Sequence, residues 1–330
     1  MGNLDLSKVR RPKCNGKDGM ASQRSSRFQS RMLLRLVFIG FTCLSTGCAL
    51  INGMVANTAG KFFGSAEAVY ASDEDPELVR DALPFSLKTM ETLLDSSPEN
   101  KNILLGACSG FTIYAYLFLQ ADAEMAEWDD YNLALELRER ARKMYVRGRD
   151  YCLRRLDVTY PGIGSQLLVD PTVAVLDIEL DDVEALYWLG TSWGLAISNG
   201  LDHPELVADL PAVKALLGRA IELDEDFNRG AIHSALIPLE ALPEEMGGSP
   251  SRARQHFERA VELSDGLDAS VYVTFAAVAR GADDREEFEL LLKDALAVDP
   301  DEDKSYRLLN LISQKLARDL LDHIDDLFFE

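Results

Sequence analysis

Twenty consecutive residues without a charge, Asn102–Ala121 (NILLGACSGFTIYAYLFLQA), restrict this chain more than any other feature. A second run, Ala185–Leu201 (ALYWLGTSWGLAISNGL), carries none over seventeen residues. By length alone the first nominates a membrane span. Its polar members (Asn102, Ser109, Thr112, Tyr114, Tyr116, Gln120) and the acids Asp122 and Glu124 just after it argue against one. A helix that is apolar all round, between amphipathic neighbours, belongs inside a packing of other helices. Gly106, Ala107, Ser109 and Gly110 in the first run, and Gly190, Ser192 and Gly194 in the second, are small enough to let partner helices come close.

The neighbours are helical by pattern. From Asp75 onward no period-2 alternation reaches strand length, whereas helical periods recur throughout. Asp75-Pro76-Glu77 is a helix start, with an N-cap, a proline at the first position and an acid in the first turn. That helix runs to about Ser96, with a kink expected at Pro84. Further helices are predicted over 101–128, 130–160, 165–176, 181–199, 204–223, 229–240, 249–263, 270–280, 284–298 and 304–328. Three of them end alike, in Ala220-Ile221-Glu222-Leu223-Asp224, Ala260-Val261-Glu262-Leu263-Ser264 and Ala295-Leu296-Ala297-Val298-Asp299. Their spacing is that of tetratricopeptide (TPR) units, helix pairs that bury their apolar faces only by stacking. Leu189-Gly190 fits the close-approach position of such a pair. The expected fold class is all-α, with TPR-like stacked antiparallel helix pairs in a solenoid or bundle around an apolar pore. Lys304–Phe328 is expected to be the cap.

Charge divides the chain. The whole carries −21, but residues 1–47 sum to +7 and the remainder to −28. So acidic a body argues against nucleic acid and against broad docking on anionic lipid. The basic start, the apolar stretch Leu33–Thr46 and the closing Leu44-Ser45-Thr46-Gly47-Cys48 have the layout of a secretory signal ending in a lipobox. Residues 1–47 are therefore expected to be a signal peptide with a long basic n-region, which leaves Met1, Met20 and Met32 all open as start codons. Cys48 is expected to be lipidated, residues 48–73 to be the lipidated N-terminus and tether, and 74–330 a single helical domain. Ala49 after the cysteine suits outer-membrane sorting. Cys108 and Cys152 then remain, in a compartment where they could pair. Both lie in apolar helical stretches, where a cysteine is usually a small buried hydrophobe, and the unpaired state is favoured.

Chemistry-bearing motifs are sparse. His203, His233, His256 and His323 have no ligand spacing, and no HExxH, GxSxG, CxxC or phosphate-binding loop occurs. The acids Asp177, Glu179, Asp181 and Asp182 lack the glycine and distal glutamate of a Ca²⁺ loop. No enzyme, metal or cofactor is expected. The informative side chains are the aromatics of the two uncharged runs, Phe111, Tyr114, Tyr116 and Phe118 with Tyr187, Trp188 and Trp193, and His233 on an otherwise apolar helix. They read either as core, where each Tyr and Trp needs a polar partner, or as the lining of an apolar cavity with a few polar handles.

Taken in order, GACSGFTIYAYLFLQADAE (106–124), the basic helix LRERARKMYVRGRDYCLRR (137–155), DVEALYW (182–188), GAIH (230–233) and GGSPSRARQHFERA (247–260) resemble one family. It is the T-component of tripartite ATP-independent periplasmic (TRAP) transporters, the TatT family, and the likeness runs from about Ala71 to the end. The resemblance implies a helical lipoprotein of the cell envelope with a pore, self-association into a trimer, and partnership with the transporter's periplasmic solute-binding protein. It implies that a hydrophobic or organic-acid ligand passes between the two. The competing reading is a TPR-like envelope scaffold without a small-molecule ligand, its acidic groove taking basic peptide segments.

Overall fold

The computed structural model describes residues 68–328. The expected signal segment, Cys48 and most of the tether lie outside the described residues. Among the described residues there is no strand, and helix dominates. In chain order the α-helices are α1 Pro76–Ser96, α2 Lys101–Tyr114, α3 Ala121–Asp129, α4 Tyr131–Asp157, α5 Ile163–Val169, α6 Pro171–Ala174, α7 Val183–Ser198 and α8 Pro204–Val207. There follow α9 Leu210–Leu223, α10 Ala231–Glu240, α11 Pro250–Leu263, α12 Ala269–Gly281, α13 Arg285–Ala297, α14 Arg307–Asp322 and α15 Ile324–Leu327.

Local chemistry sets the boundaries. Asp75 Oδ1 accepts from the backbone N–H groups of Glu77 and Leu78, and Asn100, Asp130, Ser249, Asp268 and Asp284 cap their helices in the same manner. The three repeated endings fall at the ends of α9, α11 and α13. α1 continues through Pro84 as one helix, because the buried Leu83 and Leu87 hold the segment in its packing despite the missing N–H. The expected helices over 165–176 and 204–223 are each broken in two, at Asp170-Pro171 and around Ala208-Asp209.

The twenty-residue uncharged run is central, as its composition requires. With a π-helical turn at Ala115–Gln120, α2 and α3 form one continuous helix from Lys101 to Asp129. Among the described residues this helix alone is long and apolar enough to cross a membrane, but 72% of its most apolar window is buried inside the protein. α2 packs against α1, α4 and α7; α4 packs against α7, and α7 against α9. Gly190 allows that last approach: a Cβ there would lie 2.7 Å from Leu217 Cγ on α9.

Farther along, α10 packs on α11, α12 on α13, and α14 on both α12 and α13. α14 does not stop the array as a terminal cap. It returns to the beginning and packs against α1 and α3. Leu308 of α14 belongs to the same core as Val79, Leu83, Phe118 and Tyr145. Arg307 Nη1 donates to the Ser72 carbonyl oxygen at 3.4 Å and lies 3.5 Å from Glu74. The last long helix among the described residues therefore packs on the first.

One expectation is corrected. Cys108 of α2 and Cys152 of α4 are joined by a disulfide, with their Cα atoms 5.3 Å apart. Gly148 explains why they meet. A Cβ at that position would stand 2.7 Å from Thr112 Oγ1 and 3.0 Å from the Cys108 carbonyl oxygen. Without one, α4 lies close enough along α2 for the two Cβ atoms to be bridged.

Candidate functional site

The π-helical turn is the first local irregularity that bears on function. Such turns are rare and are found frequently at functional sites. This one carries Tyr116 and Gln120, and Glu124 follows one turn later on roughly the same face. Gln120 is the hub: its Oε1 accepts from Tyr145 Oη at 2.7 Å and from Asn199 Nδ2 at 3.0 Å, and its Nε2 donates to Glu124 Oε1 at 3.0 Å. Four parts of the fold, the π turn, α3, α4 and the end of α7, therefore meet at one amide. Tyr116 makes a hydrogen bond with Thr274 of α12, and it senses the charges of Glu124 and of Asp268, the cap of α12.

The electrostatics of this group are unusual. Burial pushes the Glu124 carboxyl above its ordinary range, against the Gln120 hydrogen bond and the charges of Arg138 and Arg280. Burial likewise raises Asp268, although Ser270 donates to it from its backbone N–H at 2.9 Å and from its hydroxyl at 2.5 Å. Tyr116 and Tyr145 are both raised by burial and by neighbouring negative charge. Tyr145 is fully sealed, whereas Tyr116, Glu124 and Asp268 each keep accessible surface. All three are withdrawn from most, though not all, of the solvent.

The aromatics singled out by sequence separate into two sets. Phe111, Phe118 and Trp193 are 3%, 1% and 2% exposed, so they stand within the packing; Phe118 also borders a small pocket with Arg80, Leu117, Asp122 and Ile312. Phe111 stacks on Tyr151 and has Arg147 over its ring, and Arg80 lies over Phe118. Trp193 has Arg149 over its ring and Asp209 beside its indole N–H, without a hydrogen bond of normal geometry. Tyr114 is buried against Phe118, with its hydroxyl 3.4 Å from Arg140. Tyr187 and Trp188 are half-buried, packed edge to face, with Phe227 against Tyr187. Only Tyr116 joins the polar group.

His233 is buried elsewhere, on α10. Its Nδ1 is 2.8 Å from Nδ1 of His256 on α11, and its Nε2 is 3.5 Å from Glu225. Burial lowers both imidazoles from their ordinary value, and His256 lowers His233 further.

Sequence reasoning missed Gln120, Glu124, Tyr145, Asn199, Asp268 and Thr274. The available signal was the polar face Tyr116, Gln120, Glu124 at four-residue spacing inside an otherwise apolar run. Asn199 and Asp268 carried only cap or stop signals. A separate exposed feature lies on α5, α6 and the segment after them. Leu168, Val169, Val173, Leu176 and Leu180 are 55–86% exposed, with Asp170, Asp177, Glu179 and Asp181 among them. No Lys or Arg occurs between Arg155 and Lys214.

The described residues form an all-α array of packed helices with a hydrogen-bonded polar group centred on Gln120. A family model described as TRAP transporter T-component matches residues 72–328, and the chain belongs to that family. It is also 30% identical over 268 residues to an uncharacterized protein of Treponema pallidum (strain Nichols), an alignment covering 79% of this chain and 83% of the relative. The family is transport-related, of a non-enzymatic kind, and carries a cell-envelope association.

Proposed function

We infer that this chain is an envelope ligand-handling subunit. It binds a hydrophobic or organic-acid ligand in an apolar pore within TPR-like stacked helix pairs, and exchanges it with the solute-binding protein of a TRAP transporter. The observation that supports the reading is the polar group of Tyr116, Gln120 and Glu124, partly accessible and tied to α4 and α7 within an otherwise apolar helix packing. Apolar walls with a few polar groups are the usual make-up of a small-molecule site. In this reading Tyr116, Tyr187 and Trp188 contribute surface, while Phe111, Tyr114, Phe118 and Trp193 support the wall from behind and His233 holds the α10–α11 junction.

The exposed band from Leu168 to Leu180 is the face assigned to the solute-binding protein. Exposed apolar patches of this density mark interaction sites. Its carboxylates outnumber the cations beside it, Arg219 at the Ile178 carbonyl and Arg155 paired with Asp182, and favour a partner surface edged by Lys and Arg. Anchorage through a lipid on Cys48, placement at the outer membrane facing the periplasm, and assembly as a homotrimer complete the proposal. Native mass spectrometry of the protein purified from its own envelope tests the ligand half: a retained small molecule is expected. Co-purification with the solute-binding protein tests the other half. Recovery of envelope assembly factors in its place would favour the scaffold reading.

A further inference from the structure

Cys108 and Cys152 are the last two of the five cysteines in the chain and the only two among the described residues. Both are 0% exposed, and Leu156, Leu186 and Leu189, equally sealed, share their core. α2 carries Cys108 and is covered by α1, α4 and α7, while α4 carries Cys152 and lies against α7 as well. Between α2 and α4, Gly148 leaves no gap, since even a Cβ there would meet Thr112 Oγ1 and the Cys108 carbonyl oxygen. The bond therefore lies where three helices meet, and neither sulfur reaches solvent.

Thiol–disulfide exchange makes a geometric demand on such a bond. A thiolate must come directly up to one sulfur, so the rate depends on access as well as on the attacking and leaving thiols. In the packed protein an external thiolate has no approach to Cys108 or Cys152. Nor do the two thiols react readily when reduced and packed, because apolar surroundings keep a cysteine protonated. Opening a path means drawing α4 away from α2 and α7, which dismantles the core they share. Such an opening carries the free energy of global unfolding and not that of a fraying loop.

We propose that the Cys108–Cys152 bond is a lock that is set once: an external disulfide oxidant makes it while α2 and α4 are still apart, and packing then closes it to thiols, so that it holds the fold without serving as a redox switch. In the open chain the thiolate of one cysteine displaces a sulfur from the oxidant's disulfide, and the thiolate of the other then displaces that oxidant from the mixed disulfide. The Cys108–Cys152 bond forms, and the oxidant leaves as two thiols, carrying the two electrons, with the two protons exchanged through solvent. Only these two cysteines stand in the helical part, so one pairing is open to it and no reshuffling of wrong pairs is required. The stability that the bond contributes is thus reserved for a chain that folds outside a reducing compartment, in keeping with the family's cell-envelope association.

The test uses the full chain with Cys14→Ser, Cys43→Ser and Cys48→Ser, which leaves Cys108 and Cys152 as the thiols counted. The folded, oxidised protein is held in dithiothreitol, samples are quenched in acid, and freed thiols are counted by mass after maleimide labelling in denaturant. Reduction is expected to be at least about a hundred-fold slower than for the same protein unfolded in urea, because a stable fold keeps only a small open population. Gly190→Val disturbs the α7–α9 contact and not the cysteines. It is expected to speed reduction about ten-fold through global stability, and urea below the unfolding transition is expected to speed it further. Refolding the reduced chain with oxidised glutathione is expected to give the bond, whereas oxidised glutathione added after the reduced chain has folded is expected to act as slowly as dithiothreitol does on the oxidised one. Reduction of the folded protein at close to the unfolded rate, or at a rate unmoved by Gly190→Val and by urea, overturns the proposal and makes the bond reachable in the native state. A reduced chain that does not fold at all shows that oxidation comes first, which supports it.

Discussion

At the scale of single residues, burial decides which charges matter. Most ion pairs here are exposed and contribute little. Arg155 and Asp182 differ: they stand 2.5 Å apart with side chains 11% and 8% exposed, and they tie the end of α4 to the start of α7. Asp182→Ala leaves a buried guanidinium without its partner, and a loss of about 3 kcal/mol in denaturant unfolding is expected. The His233–His256 pair gives a second prediction. Both imidazoles titrate below their ordinary 6.5 in the folded protein, through burial first. Glu225 and Glu240 oppose this shift, and Arg259 and Arg252 add to it. The unfolded chain therefore binds more protons once the pH falls below about 6.5, so stability is present above that value and is lost on acidification. Melting temperature followed from neutral to mildly acid pH is expected to fall, and His256→Gln is expected to flatten that limb. The sequence placed His233 on an apolar helix, and it is buried as that placement suggested. Its partner was hidden, because His256 reads as one more polar residue on the amphipathic α11.

At the scale of elements, the sequence was most legible where one helix is punctuated by its own residues. Capping Asp, Asn and Ser side chains and first-turn prolines located most helix starts, since those signals act within four residues of themselves. Close helix contacts are different, because they depend on two segments far apart in the chain. Gly190 was legible as a contact position, and it does lie against Leu217. Gly190→Val is expected to push α7 from α9 and to destabilise the protein by about 1–3 kcal/mol, measured by urea unfolding. Gly148 was not singled out, and with it the approach of α4 to α2 and the Cys108–Cys152 bond were missed. Since that bond closes a loop of 44 residues, the Cys108→Ser, Cys152→Ser double variant is expected to lose about 3–4 kcal/mol. A comparable drop for the wild type in reductant would attribute the loss to the bond and not to the serines. The π turn was illegible for a related reason. Nothing in Ala115–Gln120 favours it locally, and the network around Gln120 that accompanies it comes from α4 and α7.

At the scale of the whole molecule, the proposed function asks one acidic body both to hold a ligand and to meet a partner. The acids explain part of it. Most gather at caps and on the surface, while the central helix carries no charge between Lys101 and Asp122, so solubility and the apolar interior are largely assigned to different segments. The exposed band at Leu168, Val169, Val173, Leu176 and Leu180 breaks that division, since large apolar side chains stand there among carboxylates. Folding gains nothing from leaving them in water, and the proposed interface with the solute-binding protein would cover them. The double variant Val169→Asp, Leu176→Asp puts two further charges on this face without touching the core, and surface changes of this kind usually alter stability by no more than about 0.5 kcal/mol. Affinity for the purified solute-binding protein is expected to drop at least about ten-fold in surface plasmon resonance, since charge placed inside an apolar contact must be desolvated without a partner. Melting temperature and the mass measured by light scattering are expected to stay as they are. If instead the oligomer dissociates while affinity for the solute-binding protein is retained, the band joins copies of this chain, and the partner docks on another face.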